Sequence, residues 1–200
     1  MLKKNANFDT YFAHLSEISF VGRLYKRCFI APLLYLNARR FGQVIVEVGS
    51  GVGSGLLGAF PRNVTGLEIN HHAVKYCQDR GLSVELIEAS QPYPKESGSV
   101  DVCVFDNVLE HISDADFSLN ECSRITRKNG GLIIAVPGVK GFAYDADHKV
   151  FYDESKLQKL HSEWSMLWCF STPFIFKSNW LSKHIRQYCL VAIYKKIRVC

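Results

Sequence analysis

The chain has 200 residues, 48% of them hydrophobic, which is enough to build one domain around a well-packed core. No apolar run reaches the roughly 18 to 20 residues of a membrane-spanning helix, so the sequence predicts no transmembrane segment. The formal net charge of +5 is modest and spread over both ends, and it fits an anionic small molecule or a membrane face as well as a nucleic acid. Charge alone therefore selects no partner, and a peripheral membrane contact stays open.

The N-terminus and the cysteines bear on the cellular compartment. Residues 1–18 begin with basic residues but contain neither the apolar region nor the small-residue cleavage site of a signal peptide. The seven cysteines are scattered, with no CxxC pair and no Cys/His cluster at zinc spacing. We therefore expect a cytoplasmic protein with mostly buried, reduced thiols and no metal site.

Residues 7–41 carry apolar side chains at helical intervals, interrupted by Pro32. Their basic residues are Arg23, Lys26, Arg27, Arg39 and Arg40. We interpret residues 1–41 as an N-terminal helical appendage packed on the edge of a sheet. A lid over the site and a membrane-facing surface are the alternatives.

From residue 42 onward, short apolar runs alternate with helical stretches. The runs that predict strands buried on both faces are 44–48, 63–69, 83–88, 100–106 and 131–137. The stretches with helical spacing are 53–60, 71–80 and 114–128, the last closed by Asn129, Gly130 and Gly131 as a helix stop. Runs 163–170 and 188–194 could add edge strands. This alternation predicts an α/β domain over residues 42–200 with an open, mostly parallel sheet.

The stretch EVGSGVG, residues 47–53, directly follows the first predicted strand. Glycines in a strand-to-helix turn can take positive φ and let a bulky ligand approach the backbone amides. Two frames fit: E-x-G-x-G-x-G from Glu47 to Gly53, and the dinucleotide pattern G-x-G-x-x-G from Gly53 to Gly58. The second begins several residues after the strand ends, so we favour the first. Gly55 and Gly58 are then expected to serve close packing of helix on sheet.

Four motifs in order carry a family resemblance. EVGSGVG, VTGLEIN, SGSVDVCVFDNVLEHI and DADFSLNECSRITRKNGGLIIAVPG together resemble the class I S-adenosylmethionine-dependent methyltransferases, in the branch called methyltransferase type 11, over about residues 42–138. The resemblance implies a Rossmann-like seven-stranded, mostly parallel sheet with helices on both faces. In that fold the last strand is antiparallel. It also implies S-adenosylmethionine as cofactor.

The resemblance further implies the residues that hold the cofactor. Glu68, at the end of the second strand, is expected to accept hydrogen bonds from both ribose hydroxyls as a partly solvated acid. Glu47 is expected to orient the glycine loop and to face the methionine ammonium. Adenine is expected beside Glu88 and Ala89. The other implied contacts are Gly49, Ser50, Gly51, Gly53, Ile69, Asp106, Asn107 and Val108.

Catalytic residues are less sharply marked. His111 follows the fourth strand and titrates near neutral pH, so it could act as general base toward a hydroxyl or be structural. The loop after the fifth strand is where the family builds its acceptor site, and His148 in this loop is the second catalytic candidate. Its other aromatic and acidic residues are Tyr144, Asp145, Asp147 and Tyr152, and a helix is predicted to start at Asp153.

We predict methyl transfer from S-adenosylmethionine to a small-molecule or glycan-linked acceptor, with oxygen as the favoured atom. Rival hypotheses are a non-catalytic module that binds the same cofactor and an NAD-dependent oxidoreductase, against which the loop frame argues. A nucleic-acid methyltransferase should carry a polar-Pro-Pro-aromatic tetrad after the fourth strand, where this chain has Asp106-Asn107-Val108-Leu109, so no nucleic-acid partner is expected. The oligomeric state stays open.

Overall fold

A seven-stranded sheet forms the centre of the computed structural model, which describes residue 24 and residues 26–197. The strands are β1 (Ile45–Val48), β2 (Val64–Glu68), β3 (Val84–Leu86), β4 (Val100–Asp106), β5 (Thr126–Pro137), β6 (Trp164–Thr172) and β7 (Cys189–Lys196). Their order across the sheet is β3-β2-β1-β4-β5-β7-β6. The predicted α/β fold with seven strands is confirmed.

Pairing in the sheet is parallel from β3 through to β5 and antiparallel on both sides of β7. The implied antiparallel last strand is therefore present. Run 163–170 does become an edge strand, but run 188–194 does not, because β7 lies between β5 and β6. The carboxyl ends of β1, β2, β3 and β4 all lie at one edge of the sheet, which is where a parallel sheet binds ligands.

Helices connect the strands. They are α1 (Ala31–Ala38), α2 (Leu56–Ala59), α3 (His71–Gln78), α4 (Asp116–Ile125), α5 (Val139–Tyr144), α6 (Glu154–Gln158) and α7 (Asn179–His184). A π-helix, Lys26–Ile30, precedes α1, and a 3-10 turn, Leu109–His111, follows β4. The start of α6 matches the prediction, since the Asp153 side chain accepts a hydrogen bond from the amide of Lys156 at 2.8 Å. No helix in the described part of the chain has the length and apolar character needed to span a membrane.

The fourth helix ends earlier than predicted. Helix α4 stops at Ile125, and Thr126 already pairs with Val100 as the first residue of β5. The ammonium of Lys196 donates to the carbonyl of Thr126 at 2.9 Å, so a carbonyl that a longer helix would use is bound from the sheet instead. The Asn-Gly-Gly stretch 129–131 is thus an irregular part of a strand, not a helix stop.

Two apolar clusters cover the two faces of the sheet, because side chains alternate along each strand. One face carries Val46, Phe105 and Ile134 and packs against α4. The opposite face carries Ile45, Val104 and Ile133 and packs against α1, α2 and α3. Helices on both faces are therefore confirmed.

The predicted N-terminal appendage is only partly covered by the described residues, since 1–23 and 25 lie outside them. The described part is helical. Pro32 lies in the first turn of α1, directly after the π-helix, so the proline falls where the helical hydrogen-bond pattern changes. Leu34 and Ala38 are fully buried in the second cluster, so α1 packs on a face of the sheet and not on its edge. The boundary between 1–41 and 42–200 stays a prediction.

Candidate functional site

The glycine loop between β1 and α2 has the backbone that its sequence predicts. Gly49, Gly51 and Gly53 have φ values of +72°, +53° and +69°, in the left-handed region that favours glycine. A Cβ on Gly49 would lie 2.7 Å from both methyl carbons of Val108, so this position also allows a close approach to the segment after β4. The loop therefore depends on glycine for its conformation, and at Gly49 for space as well.

Gly55 lets the start of α2 approach side chains of β1 and β4 closely, as expected, whereas Gly58 does not pack helix against sheet. A Cβ on Gly58 would lie 2.0 Å from the carbonyl oxygen of Gly53, inside the loop itself. A Cβ on Gly55 would lie 2.7 Å from Oε1 of Glu47. Gly58 thus closes the loop onto its own backbone, and Gly55 brings the start of α2 against the carboxylates of Glu47 and Asp106.

Glu47 ties the end of the loop to β1. Its side chain accepts hydrogen bonds from the amides of Leu56 at 3.2 Å and Leu57 at 2.7 Å, which begin α2. Burial raises the pKa of Glu47 to about 7, helped by the negative charge of Asp106 and opposed by the two amides and Lys26. The carboxylate thus orients the loop in the way that the resemblance implies, while its contact with an ammonium stays a prediction.

Glu68 is buried, with 3% of its surface exposed, and this corrects the expectation of a partly solvated acid. Its Oε2 accepts a hydrogen bond from the amide of Gly51 at 2.7 Å, and its Oε1 accepts one from the amide of Asn70 at 2.9 Å. Burial raises the pKa of Glu68 and the backbone hydrogen bonds lower it in part. A carboxylate has about four lone-pair positions, so Glu68 can bind the backbone amides of Asn70, Gly51 and Ile69 and still accept a hydroxyl.

The remaining predicted cofactor contacts lie after β2, β3 and β4. Ile69 is 41% exposed although it is apolar, as a side chain that covers a flat ring would be. Glu88 and Ala89 are exposed in the turn after β3. The amide of Ile87 donates to the carbonyl of Glu68 at 3.0 Å, so this turn lies beside the end of β2.

The segment after β4 is held closely. Asp106 is buried, and its Oδ1 accepts a hydrogen bond from the amide side chain of Asn107 at 2.8 Å. Asn107 has a left-handed φ of +55°, and its backbone amide donates to the carbonyl of Ala135 at 2.9 Å.

Ser50, in the glycine loop, is also buried and packs over Gly66, so its side chain fills space inside the loop.

Lys26 is a site residue that the sequence does not single out. Its Nζ lies 3.4 Å from Oδ2 of Asp106, and its side chain is 29% exposed. Burial alone would lower the pKa of Lys26, but the charges of Asp106 and Glu47 help to raise it overall. Membership of a basic, helical segment was the only signal in the sequence, and it does not distinguish Lys26 from its neighbours.

The two catalytic candidates lie together. The ring centroids of His111 and His148 are 4.6 Å apart, and Nε2 of His148 lies 3.8 Å from Oε1 of Glu110. Burial raises the pKa of Glu110 to about 8, with a contribution from Asp106. Burial, followed by the neighbouring His148, lowers the pKa of His111. Glu110 is the residue of this group that the sequence did not predict as functional.

The rest of the acceptor loop divides between surface and core. Tyr144 is exposed and stacks against the guanidinium of Arg186, 3.4 Å from the ring centroid. Tyr152 is 5% exposed and belongs to the first apolar cluster, so it is a core residue and not an acceptor contact. Asp145 faces the histidine pair, with Oδ2 lying 3.9 Å from Nε2 of His148.

Comparison with known proteins agrees with this architecture. The strand order and the glycine loop define the Rossmann-like fold of the class I S-adenosylmethionine-dependent methyltransferases, and the resemblance stated from the motifs is confirmed. Residues 46–134 match the methyltransferase type 11 family, described as "Methyltransferase domain". The match covers a little less than half of the chain and shows that this segment is similar to that family.

Two mycobacterial relatives match about half of the chain. A "probable S-adenosylmethionine-dependent methyltransferase" of Mycobacterium tuberculosis is 32% identical over 90 residues, which are 44% of this chain and 33% of that protein. One of Mycolicibacterium smegmatis with the same description is 30% identical over 105 residues, which are 51% of this chain and 41% of that protein. The chain thus spans less than half the length of these curated relatives.

Solved structures share the fold over most of the chain. A "SAM-dependent methyltransferase, possible histamine N-methyltransferase" from Thermotoga maritima has a TM-score of 0.70 at 16% identity, covering 96% of this chain and 99% of that one. The [4+2]-cyclase SpnF has a TM-score of 0.63 at 15% identity, covering 84% of this chain and 79% of that one. These similarities show the fold, and the fold alone does not fix the reaction.

Proposed function

We propose that this chain binds S-adenosylmethionine at the carboxyl ends of β1, β2 and β4 and transfers its methyl group to an oxygen of a small-molecule or glycan-linked acceptor. The observation that carries the proposal is the joint geometry of Glu68 and the glycine loop. The buried carboxylate holds the amide of Gly51 and keeps lone pairs for a ribose, next to three glycines with positive φ. That combination suits a nucleoside whose sugar lies against the glycine loop, where no side chains cover the backbone.

The remaining contacts follow from the same edge of the sheet. Glu47 would face the ammonium of the methionine part, and Ile69, with Glu88 and Ala89, would border the adenine. Asp106, Asn107 and Val108 would border both cofactor and acceptor. The sulfonium supplies an already activated methyl carbon, so the protein contributes mainly orientation and exclusion of water, effects that can amount to ~7 to 11 kcal/mol.

Oxygen is the favoured acceptor atom because of Glu110, His111 and His148. A weakly acidic hydroxyl has to lose its proton when the new carbon–oxygen bond forms, and a group that accepts it must lie close to the reacting oxygen. Glu110 lies four residues after the end of β4, and the imidazoles of His111 and His148 beside it can accept a proton there. A binding module without methyl transfer is the second candidate, because a structure with the same fold is named for a reaction other than methyl transfer. We keep the cytoplasm as the proposed compartment, since the six described cysteines form no disulfide.

Ligand-dependent thermal unfolding tests the cofactor assignment. S-adenosylhomocysteine should raise the melting temperature, because a ligand present at about 100 times its dissociation constant stabilises by ~2.7 kcal/mol. NAD at the same concentration should have no effect. Stabilisation by NAD alone would overturn the proposal. Transfer of labelled methyl from S-adenosylmethionine into a small-molecule extract then separates an enzyme from a binding module.

A further inference from the structure

Glu110 is a buried carboxylate without the partners that such a group needs. It is 1% exposed, and neither carboxylate oxygen has a hydrogen-bond partner in another described residue. The imidazole of His148 approaches it, with Nε2 lying 3.8 Å from Oε1 of Glu110, beyond hydrogen-bond distance. A buried acid in an apolar setting is costly unless it is paired, protonated or bound to a cation. A bound cation is the partner among these that the described residues do not supply.

The two histidines are held in the way that metal-binding histidines are held. Nδ1 of His148 lies 2.9 Å from the carbonyl oxygen of Phe142, so its N–H points there and the lone pair of Nε2 faces Glu110. A hydrogen bond to the backbone of Asp147 engages His111 in the same manner and raises its pKa in part. Metal-ligating imidazoles typically donate their second N–H to a carbonyl or carboxylate, which fixes the ring and its tautomer.

Backbone pairing brings the two parts of this cluster together. The amides of Lys149 and Val150 donate to the carbonyl of Glu110 at 2.8 and 3.1 Å. The loop that carries His148 is thereby fastened to the turn Leu109–His111. One ligand atom from each of Glu110, His111 and His148 then lies within 4.8 Å of the other two.

We propose that Glu110, His111 and His148 bind one divalent transition-metal ion. Two imidazoles and one carboxylate on one side of an ion, with open positions on the other, suit Zn²⁺, Fe²⁺, Mn²⁺ or Co²⁺ better than Mg²⁺, which prefers oxygen ligands. Ligand distances of about 2.0 to 2.2 Å require the three atoms to close by roughly 1 Å, within reach of side-chain rotation. The ion supplies the positive charge that the carboxylate lacks.

The position of this site, just beyond β4, assigns it a role that rests on the proposed function. An acceptor hydroxyl in an open coordination position is acidified by the ion, and its proton leaves to solvent water. The resulting oxygen forms the bond to the methyl carbon while the carbon–sulfur bond breaks and its electron pair stays on sulfur. The products are the methyl ether and S-adenosylhomocysteine. Acceptors with hydroxyls that can ligate a metal, such as sugar hydroxyls, are the class that this site fits.

Metal binding can be measured without any acceptor. Untagged, chelator-treated protein should bind one equivalent of Co²⁺, seen as visible absorption of the bound ion, and should also bind Zn²⁺ or Mn²⁺ in calorimetry. Affinity should fall by at least about tenfold in Glu110→Gln and in His148→Gln. His161→Gln is the matched control, because His161 is half-buried and bonds to Asn120 away from the cluster. Circular dichroism confirms that each variant is folded.

Each outcome has a distinct meaning. A folded parent that binds no Co²⁺, Zn²⁺ or Mn²⁺, or equal metal affinity in the parent and both cluster variants, overturns the metal site; the cluster is then a proton-binding group only. Retained affinity for S-adenosylhomocysteine in the same variants shows that such a failure leaves the cofactor assignment intact. Metal binding in a parent that does not bind S-adenosylhomocysteine would keep the site and overturn the proposed function.

Discussion

The ammonium of Lys26 lies 3.4 Å from Oδ2 of Asp106, and this contact joins the N-terminal helical segment to the end of β4. Glu47 and Asp106 alternate with the residues of the first apolar cluster, so both acids face the side of the sheet that α1 covers. Lys26 is thus the cation that enters a site otherwise dominated by carboxylates. The N-terminal segment is part of the site's electrostatics and not only a cover for the core.

Removing this cation should destabilise the fold. Lys26→Met leaves Asp106 buried without its ion pair, and we expect the free energy of unfolding to fall by ~1 to 3 kcal/mol, between the values for exposed and buried pairs. Lys75→Met is the control, since Lys75 pairs with Asp79 on the surface of α3 and should lose less than ~0.5 kcal/mol. Urea unfolding of both variants measures the difference. Equal stability of the two variants would show that the Lys26 contact contributes nothing.

Because Gly51 has a positive φ, replacing it should weaken cofactor binding in a protein that still folds. Gly51→Ala adds a Cβ to a left-handed residue, at a cost of about 1 to 2 kcal/mol, and displaces the amide that bonds to Glu68. We expect affinity for S-adenosylhomocysteine to fall by at least about tenfold.

Gly81→Ala is the matched control for this change. Gly81 has a φ of +72° with nothing within 4 Å of an added Cβ, so it has the same backbone strain in open space. Calorimetric titration should find normal affinity in Gly81→Ala. Equal affinities in the two variants would mean that the cofactor does not use the loop.

Glu68→Gln should lower both the affinity for the cofactor and the stability of the fold. The amide side chain keeps one acceptor oxygen but replaces the other with a donor, which then faces a backbone N–H or a ribose hydroxyl. We expect a loss of affinity of ~1.5 to 3 kcal/mol and a loss of stability of ~1 to 3 kcal/mol, because the acid is buried. Glu85→Gln, on the neighbouring strand and paired with Lys95, should change neither by more than ~1 kcal/mol. Unchanged affinity in a folded Glu68→Gln protein would remove this residue from the site.

Glu47 should make stability depend on pH. Its pKa rises from 4.5 in the unfolded chain to about 7 in the fold, so between these values the native state binds more protons than the unfolded state. Stability from this group is therefore greatest below pH 4.5 and falls as pH rises toward 7, by up to about 3 kcal/mol. The neighbouring charges that act on the pKa of Glu47 are Asp106, which raises it, and Lys26, which lowers it.

Comparison with Glu47→Gln isolates this contribution from other titrating groups. The parent should lose more stability than the variant between pH 5 and pH 8, as measured by urea unfolding at each pH. Binding of S-adenosylhomocysteine should show the opposite trend in the parent, with affinity rising through about pH 7, because the ionised carboxylate is the form that attracts an ammonium. A parent and variant with parallel profiles would contradict the raised pKa.

Local patterns in the sequence were sufficient to predict the strands and the glycine loop. The five parallel strands appear as short apolar runs because both faces of the sheet are covered, and the turn after β1 needs glycine at Gly49, Gly51 and Gly53 because their φ values are positive. The burial of Glu68 could not be predicted, since it depends on how the loop folds back over the strand end. The early end of α4 was missed for a similar reason: a lysine 70 residues further on binds its last carbonyls.

The charged parts of the site were harder to predict because they depend on distant contacts. Lys26 and Asp106 are separated by 80 positions, and no spacing rule relates them. Glu110 and His148 meet through a loop that pairs with the backbone of Glu110. In the sequence, Glu110 and His111 lie in one of the motifs that resemble the class I methyltransferases. Only the structure shows that the carboxylate of Glu110 is buried without a hydrogen-bond partner.

The place of β7 in the sheet has a consequence for the order in which the chain can fold. Among the described strands β7 is the last to leave the ribosome, yet it pairs on one side with β5 and on the other with β6. Until it arrives, β5 and β6 both present unpaired strand edges, and such edges promote association between chains. A nascent or truncated chain that stops before Cys189 can therefore form the glycine loop, but its strands β5 and β6 stay unpaired on the side that β7 would fill. The residues of β7 thus decide whether the newly made chain can complete its sheet before its unpaired strand edges meet another chain.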